Sequence, residues 1–193
     1  MTRSQNTVTA KEKILNTALS VIRTQGYAAT TVDDLCSAAG VTKGAFFHHF
    51  SSKEDLAVAA ANHWASVTSA FFEQAPYQKL SDPLDRVLGY IDFRKAILKG
   101  NLPEFTCLVG TMVQEAYDSN PAIRDACRDS IFGHAAAVAK DIERAKAQYA
   151  PRAKWSAESL ALHTQAVLDG GARGRPDRVV VERLRQITAF DGR

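Results

Sequence analysis

Residues 31–50, TVDDLCSAAGVTKGAFFHHF, decide how the chain is read. Val32, Leu35, Cys36 and Ala39 recur at intervals of three and four, which places them on one face of a helix. Thr31 stands where a cap is needed, and Asp33 and Asp34 occupy the first turn, where carboxylates complement the helix dipole. Gly40 permits the left-handed turn that ends such a helix, Val41 returns to the core, and Thr42 opens a second short helix. Two helices so joined make a helix-turn-helix, whose second helix enters the major groove of DNA. Phe46 and Phe50, four apart, then pack inward with Val41 and leave Thr42, Lys43, Gly44, Phe47 and His48 facing outward.

The flanking segments extend this unit in both directions. Upstream, residues 1–8 form a polar arm whose Arg3 can reach a phosphate or the minor groove. Thr9 with Glu12 reads as a capping box, and Ile14, Leu15, Ala18, Leu19 and Ile22 line a first helix that Gly26 ends. Lys11, Lys13 and Arg23 make that helix locally positive. Downstream, Ser51 or Ser52 with Glu54 or Asp55 caps a long fourth helix carrying Leu56, Ala60, Trp64, Val67 and Phe71 as a stripe. Further helices are expected over residues 83–99, 104–117 and 121–149, and another after Ser156, with Pro and Gly turns between them. Residues 170–178, GGARGRPDR, interrupt the helical pattern before it resumes over 179–190.

These patterns predict an all-α chain of about nine helices. A three-helix helix-turn-helix domain over residues 1–56 precedes a helical domain over residues 57–193. At 193 residues the chain can bury a real core, and a net charge of +3 permits nucleic-acid binding without requiring it. No leader peptide and no apolar run of membrane-spanning length is read, which leads to the expectation of a cytoplasmic protein with no membrane partner. Cys36, Cys107 and Cys127 are an odd count without CxxC spacing, as expected in a reducing compartment. HExxH, GxSxG, Walker and GxGxxG patterns are missing, and His48–His49 lacks partners at metal-ligand spacing. No enzyme, metal or cofactor is therefore expected.

Residues 38–56, AAGVTKGAFFHHFSSKEDL, closely resemble the DNA-binding signature of TetR-family (AcrR-like) transcriptional regulators: Ala-Gly-Val, a Ser or Thr, Lys-Gly, an aromatic cluster, then Ser-Lys-Glu-x-Leu. The resemblance is gap-free and covers the first third of the chain. It implies a dimeric repressor on a palindromic operator of double-stranded DNA, released when a small-molecule inducer binds the second domain and pivots the fourth helix. By that resemblance Thr42, Lys43, Gly44, Ala45 and His48 lie along the major groove, with Lys43 toward a guanine edge and Ala45 toward a thymine methyl. Thr31, His49 and Lys53 hold phosphates, and Phe47 replaces a tyrosine that in the family binds a phosphate.

The implied ligand cavity is expected to draw its walls from Trp64, Phe71, Tyr90, Phe93, Cys107, Met112, Ile131, His134 and His163. In the family the last two helices form the dimer interface, which the break over residues 170–178 shortens here. Two alternatives stay open. FTCLVGTM, residues 105–112, resembles the helix of family members that sense electrophiles or oxidants through a thiol, which makes Cys107 the candidate sensor. A DNA-binding protein whose body serves a protein partner, with no small-molecule switch, is the other.

Overall fold

The computed structural model describes residues 9–171, and every regular element within them is helical. The order is α1 (Ala10–Gln25), α2 (Val32–Ala39), α3 (Lys43–His49), α4 (Lys53–Glu73), a 3-10 turn (Pro76–Lys79), α5 (Pro83–Ile97), α6 (Leu102–Phe105), α7 (Leu108–Ala116), α8 (Pro121–Tyr149) and α9 (Ala157–Gly171). Arg3, most of the 170–178 break and the expected last helix lie outside the described residues. Among the described residues no helix is long and apolar enough to cross a membrane.

Local chemistry sets the helix starts. Thr9 with Glu12 and Thr31 with Asp34 both close reciprocal capping boxes. Thr42 accepts from Ala45 N at 3.1 Å, Ser52 from Asp55 N at 3.1 Å, and Asn120 from Ile123 N at 3.1 Å. Between α2 and α3, Gly40 takes φ 64° and ψ 39°, and the N–H groups of Gly40 and Val41 satisfy the carbonyls of Ser37 and Cys36. The single helix expected over 104–117 is instead two. Thr106 is buried and Cys107 is extended, so the chain turns there, and α6 packs on α1 where a straight helix would pass it by.

Two buried clusters hold the molecule together. The first gathers α1–α3 (Ile14, Leu35, Phe46, Phe50), the start of α4 (Leu56, Ala60), α7 (Leu108, Met112) and the start of α8 (Ile123, Cys127). The second joins the 3-10 turn, α5, the later half of α8 and α9, with Phe72 of α4 packed against it. The core therefore runs on past residue 56: α4 and α8 pass through both clusters, and α7 packs directly on α1.

The loop between α1 and α2 is clamped from two sides. Glu115 of α7 accepts from Ala28 N at 2.7 Å, and Lys53 Nζ donates to the carbonyls of Tyr27 (3.2 Å) and Thr30 (3.0 Å). Gly26 makes room for this clamp. Its φ is +89°, and a Cβ there would stand 2.7 Å from Glu115 Oε1.

Candidate nucleic-acid interface and adjoining cavity

The α3 helix separates its faces sharply. Phe46 (0% exposed) and Phe50 (2%) fill the first core, whereas Phe47, edge-on to Phe46 with ring centroids 5.2 Å apart, is 53% exposed. Thr42, Lys43, Gly44 and His48 share the outward face, and Ala45 and His49 are half-buried at its margin. The His48 and His49 rings meet edge-on at 4.9 Å. Lys43 Nζ lies 2.7 Å from Asp33 of α2, and this exposed hydrogen-bonded pair raises the lysine pKa. In such a pair the ammonium is available to exchange one anionic partner for another.

Two expected phosphate ligands are already engaged. The Thr31 hydroxyl donates to Asp34 at 2.7 Å and accepts from Asp34 N at 3.1 Å, so the α2 cap uses it. Lys53 is turned inward to the Tyr27 and Thr30 carbonyls, with its ammonium 4.4 Å above the Tyr27 ring. Lys53, expected at a phosphate of the DNA backbone, serves in this structure as a strut within the head.

A cavity of about 210 Å³ opens where α1, α4, α5, α8 and α9 meet the 104–109 turn. Trp64, Phe71, Cys107, Ile131 and His134 line it as expected. Four expected wall residues do not. Met112 is fully buried in the first core, and Phe93 packs into an aromatic group with Phe71 (5.3 Å) and Tyr77 (5.8 Å). His163 is exposed on α9, and Tyr90 stands behind the cavity, on a smaller space of about 100 Å³. All four obey helical periodicity, but their helices are rotated so that other residues face the opening.

Sequence reasoning missed the polar part of the lining, Arg23, Thr68, Arg94, Glu104 and Gln165 among it, as well as apolar residues such as Phe72 and Phe105. Arg94 did leave a signal, since it falls three residues after Ile91 on the buried face of α5. Its guanidinium donates to the Tyr90 hydroxyl (3.1 Å) and to Gln165 Oε1 (3.2 Å), and Gln165 Nε2 donates to the same hydroxyl at 2.7 Å. With two donors on it, the tyrosine gives its own proton to His134 Nε2, 3.0 Å away. Burial, reinforced by Arg94, pushes the His134 pKa down to about 4, so the ring is neutral at pH 7. Cys107 is half-buried on the cavity wall; Cys36 and Cys127 are buried in the core. Among the described residues no group of His, Cys, Asp and Glu could hold a metal ion.

A capped three-helix head with an outward recognition helix defines a helix-turn-helix DNA-binding protein. Residues 14–60 match the family model for bacterial regulatory proteins of the tetR family. That match takes in the three-helix head and the first turns of α4, so the head is of the tetR type. The HTH-type transcriptional regulator YerO of Bacillus subtilis is 38% identical over 58 residues, 30% of this chain and 20% of YerO. LmrA of Bacillus subtilis, also an HTH-type transcriptional regulator, is 26% identical over 129 residues, 63% of this chain and 64% of LmrA. The chain thus spans less than two thirds of the length of these curated relatives. In fold it is similar to a TetR-family regulator from Agrobacterium tumefaciens, with a TM-score of 0.77 at 20% identity over 93% of this chain and 95% of that one.

Proposed function

We propose that the chain is a dimeric repressor that reads a palindromic operator with α3 and leaves it when a small molecule fills the cavity. The observation that carries this reading is the division of α3, with Phe46 and Phe50 buried and Thr42, Lys43, Gly44, Phe47 and His48 outward. In the groove Lys43 leaves Asp33 for a guanine edge, Thr42 and His48 reach neighbouring groups, and Phe47 offers apolar area in place of a phosphate hydrogen bond. One short helix reads only a few base pairs, so two heads on one palindrome supply the specificity. The effector acts by binding the DNA-incompetent arrangement more tightly than the competent one. The α1–α2 loop, clamped by Lys53 and Glu115, is the route from cavity to head.

Sedimentation over a concentration series, with and without a duplex carrying the palindrome from the protein's own promoter region, tests this. A dimer that binds the duplex as one unit is expected, and Lys43→Ala is expected to weaken binding to that duplex about tenfold or more. A persistent monomer, or a Lys43→Ala variant with unchanged affinity, overturns it. Retention of the operator in the presence of every cavity ligand would leave the alternative in which the body serves a protein partner.

One observation favours a thiol-based variant of the same switch. Cys107 is half-buried on the cavity wall beside Arg23, whereas the other two thiols are enclosed in the core. Burial pushes the Cys36 pKa up and that of Cys127 up to about 12. Iodoacetamide is expected to label Cys107 well before the other two. Equal sluggishness at all three removes the thiol variant.

A further inference from the structure

Arg23 is the charged side chain that the head contributes to the cavity. Its Nε donates to Leu19 O at 2.8 Å, and its guanidinium carbon lies 5.1 Å from the centre of the Trp64 ring. Among the described residues neither terminal nitrogen has a hydrogen-bonding partner and no carboxylate comes within ion-pair distance. The group is half-buried, and loss of hydration pushes its pKa down, with Cys107 opposing the shift. A guanidinium offers five N–H donors in a planar fork. One is used here, and the remaining four are the part that matches a carboxylate in bidentate geometry.

The rest of the lining limits what can accompany that carboxylate. Arg94 is engaged with Tyr90 and Gln165, and the Glu104 carboxylate accepts from Asn101 N at 2.9 Å. Trp64, Phe71, Phe72, Phe105 and Ile131 supply flat and aliphatic walls. An apolar cavity of about 150 Å³ takes one benzene ring. The 210 Å³ here admits a ring with a small substituent or a short chain, and excludes anything the size of a nucleotide.

We propose that the cavity binds a small amphipathic monoanion, a carboxylate carried on one aromatic ring or a short alkyl chain, with the terminal nitrogens of Arg23 holding the carboxylate. The regulatory consequence rests on the effector reading above: Arg23 belongs to α1, so the anion engages a helix of the DNA-binding head directly and not only through α4.

Calorimetric titration of the full-length protein at pH 7 with benzoate and hexanoate, each against its neutral counterpart benzamide or hexanol, tests the proposal. The acids are expected to bind about ten- to a hundredfold more tightly than their neutral counterparts. Arg23→Gln is expected to abolish that preference, and Arg23→Lys to keep part of it, with circular dichroism establishing that both variants fold. Equal affinities, a preference that survives Arg23→Gln, or no binding by any of the four probes overturns the proposal. Operator binding in the same solutions separates it from the effector reading. Benzoate held through Arg23 without loss of operator affinity supports the anion site and removes the switch. Operator release by the neutral probes, equal in wild type and Arg23→Gln, overturns the anion site and keeps the switch.

Discussion

The recognition face and the cavity are built on opposite plans. Every residue of the α3 face lies between Thr42 and His49, whereas the cavity draws from Arg23 in α1 to Gln165 in α9. A surface made by one short helix depends on its own caps and on a single left-handed glycine. A cavity walled by residues of many helices depends on the rotation of each about its axis, which no local signal carries. The two regions are nevertheless joined, because Arg23, Glu115 and Lys53 each link an element of the head to another element or to the cavity.

The hardest test of that join is to remove Phe46, the fully buried anchor of α3. Phe46→Ala is expected to lower stability by about 3–5 kcal/mol, through lost burial and the cavity left behind. The two tryptophans allow each core to be followed, since Trp64 packs on the first and Trp155 on the second. Because α4 and α8 run through both clusters, single-tryptophan variants are expected to report the same shifted midpoint in urea. Two separated transitions would show that head and body are independent units and that the comparison should be drawn between domains.

Acid distinguishes the regions next. His134 in the body has its pKa lowered to about 4, below the ordinary value of 6.5. Between those values the unfolded chain holds a proton that the folded one does not, so stability falls as the pH drops from about 6.5 to 4. The loss amounts to roughly 3 kcal/mol when complete. In the head, hydrogen bonds from Thr9 and Thr31 hold the Glu12 and Asp34 carboxylates below their ordinary range. Their stabilisation is present at neutral pH and is lost only at lower pH, as these depressed groups are protonated. Urea midpoints between pH 7 and 4.5 are expected to decline in wild type and to stay nearly level in His134→Gln. An identical decline in both would assign the acid sensitivity to another group.

How much of this was legible follows the same division. Thr9, Thr31, Thr42 and Ser52 announce their helices within a few residues, and the alternation of Phe46, Phe47 and Phe50 shows which ring is buried. The three-residue and four-residue rhythm of α5, α7 and α8 is equally plain, yet it marks only the buried face of each helix. Whether that face meets core, as Met112 does, or an opening, as Ile131 does, is settled by neighbours far away in sequence. Lys53 shows the converse limit. Its place in the motif is clear, but its ammonium is turned by Tyr27 and Thr30 carbonyls more than twenty positions upstream.

The smallest expected effects give the cleanest comparison, because the same change is made in each region. Gly40 sits at φ 64° in the head, and an added Cβ would meet nothing within 4 Å, so Gly40→Ala is charged with backbone strain alone, about 1 kcal/mol. Gly133 lies within α8, without a positive φ, and its Cβ would also meet nothing within 4 Å. There the gain is in helix propensity, and Gly133→Ala is expected to stabilise by about 0.5–1 kcal/mol. Urea midpoints of the two variants should therefore move in opposite directions from wild type. A neutral Gly40→Ala would mean that the turn between α2 and α3 can relax, and with it the angle at which α3 is presented. A destabilising Gly133→Ala would mean that this open face of α8 is covered in the assembled protein, so that the chain in solution is not the single copy described here.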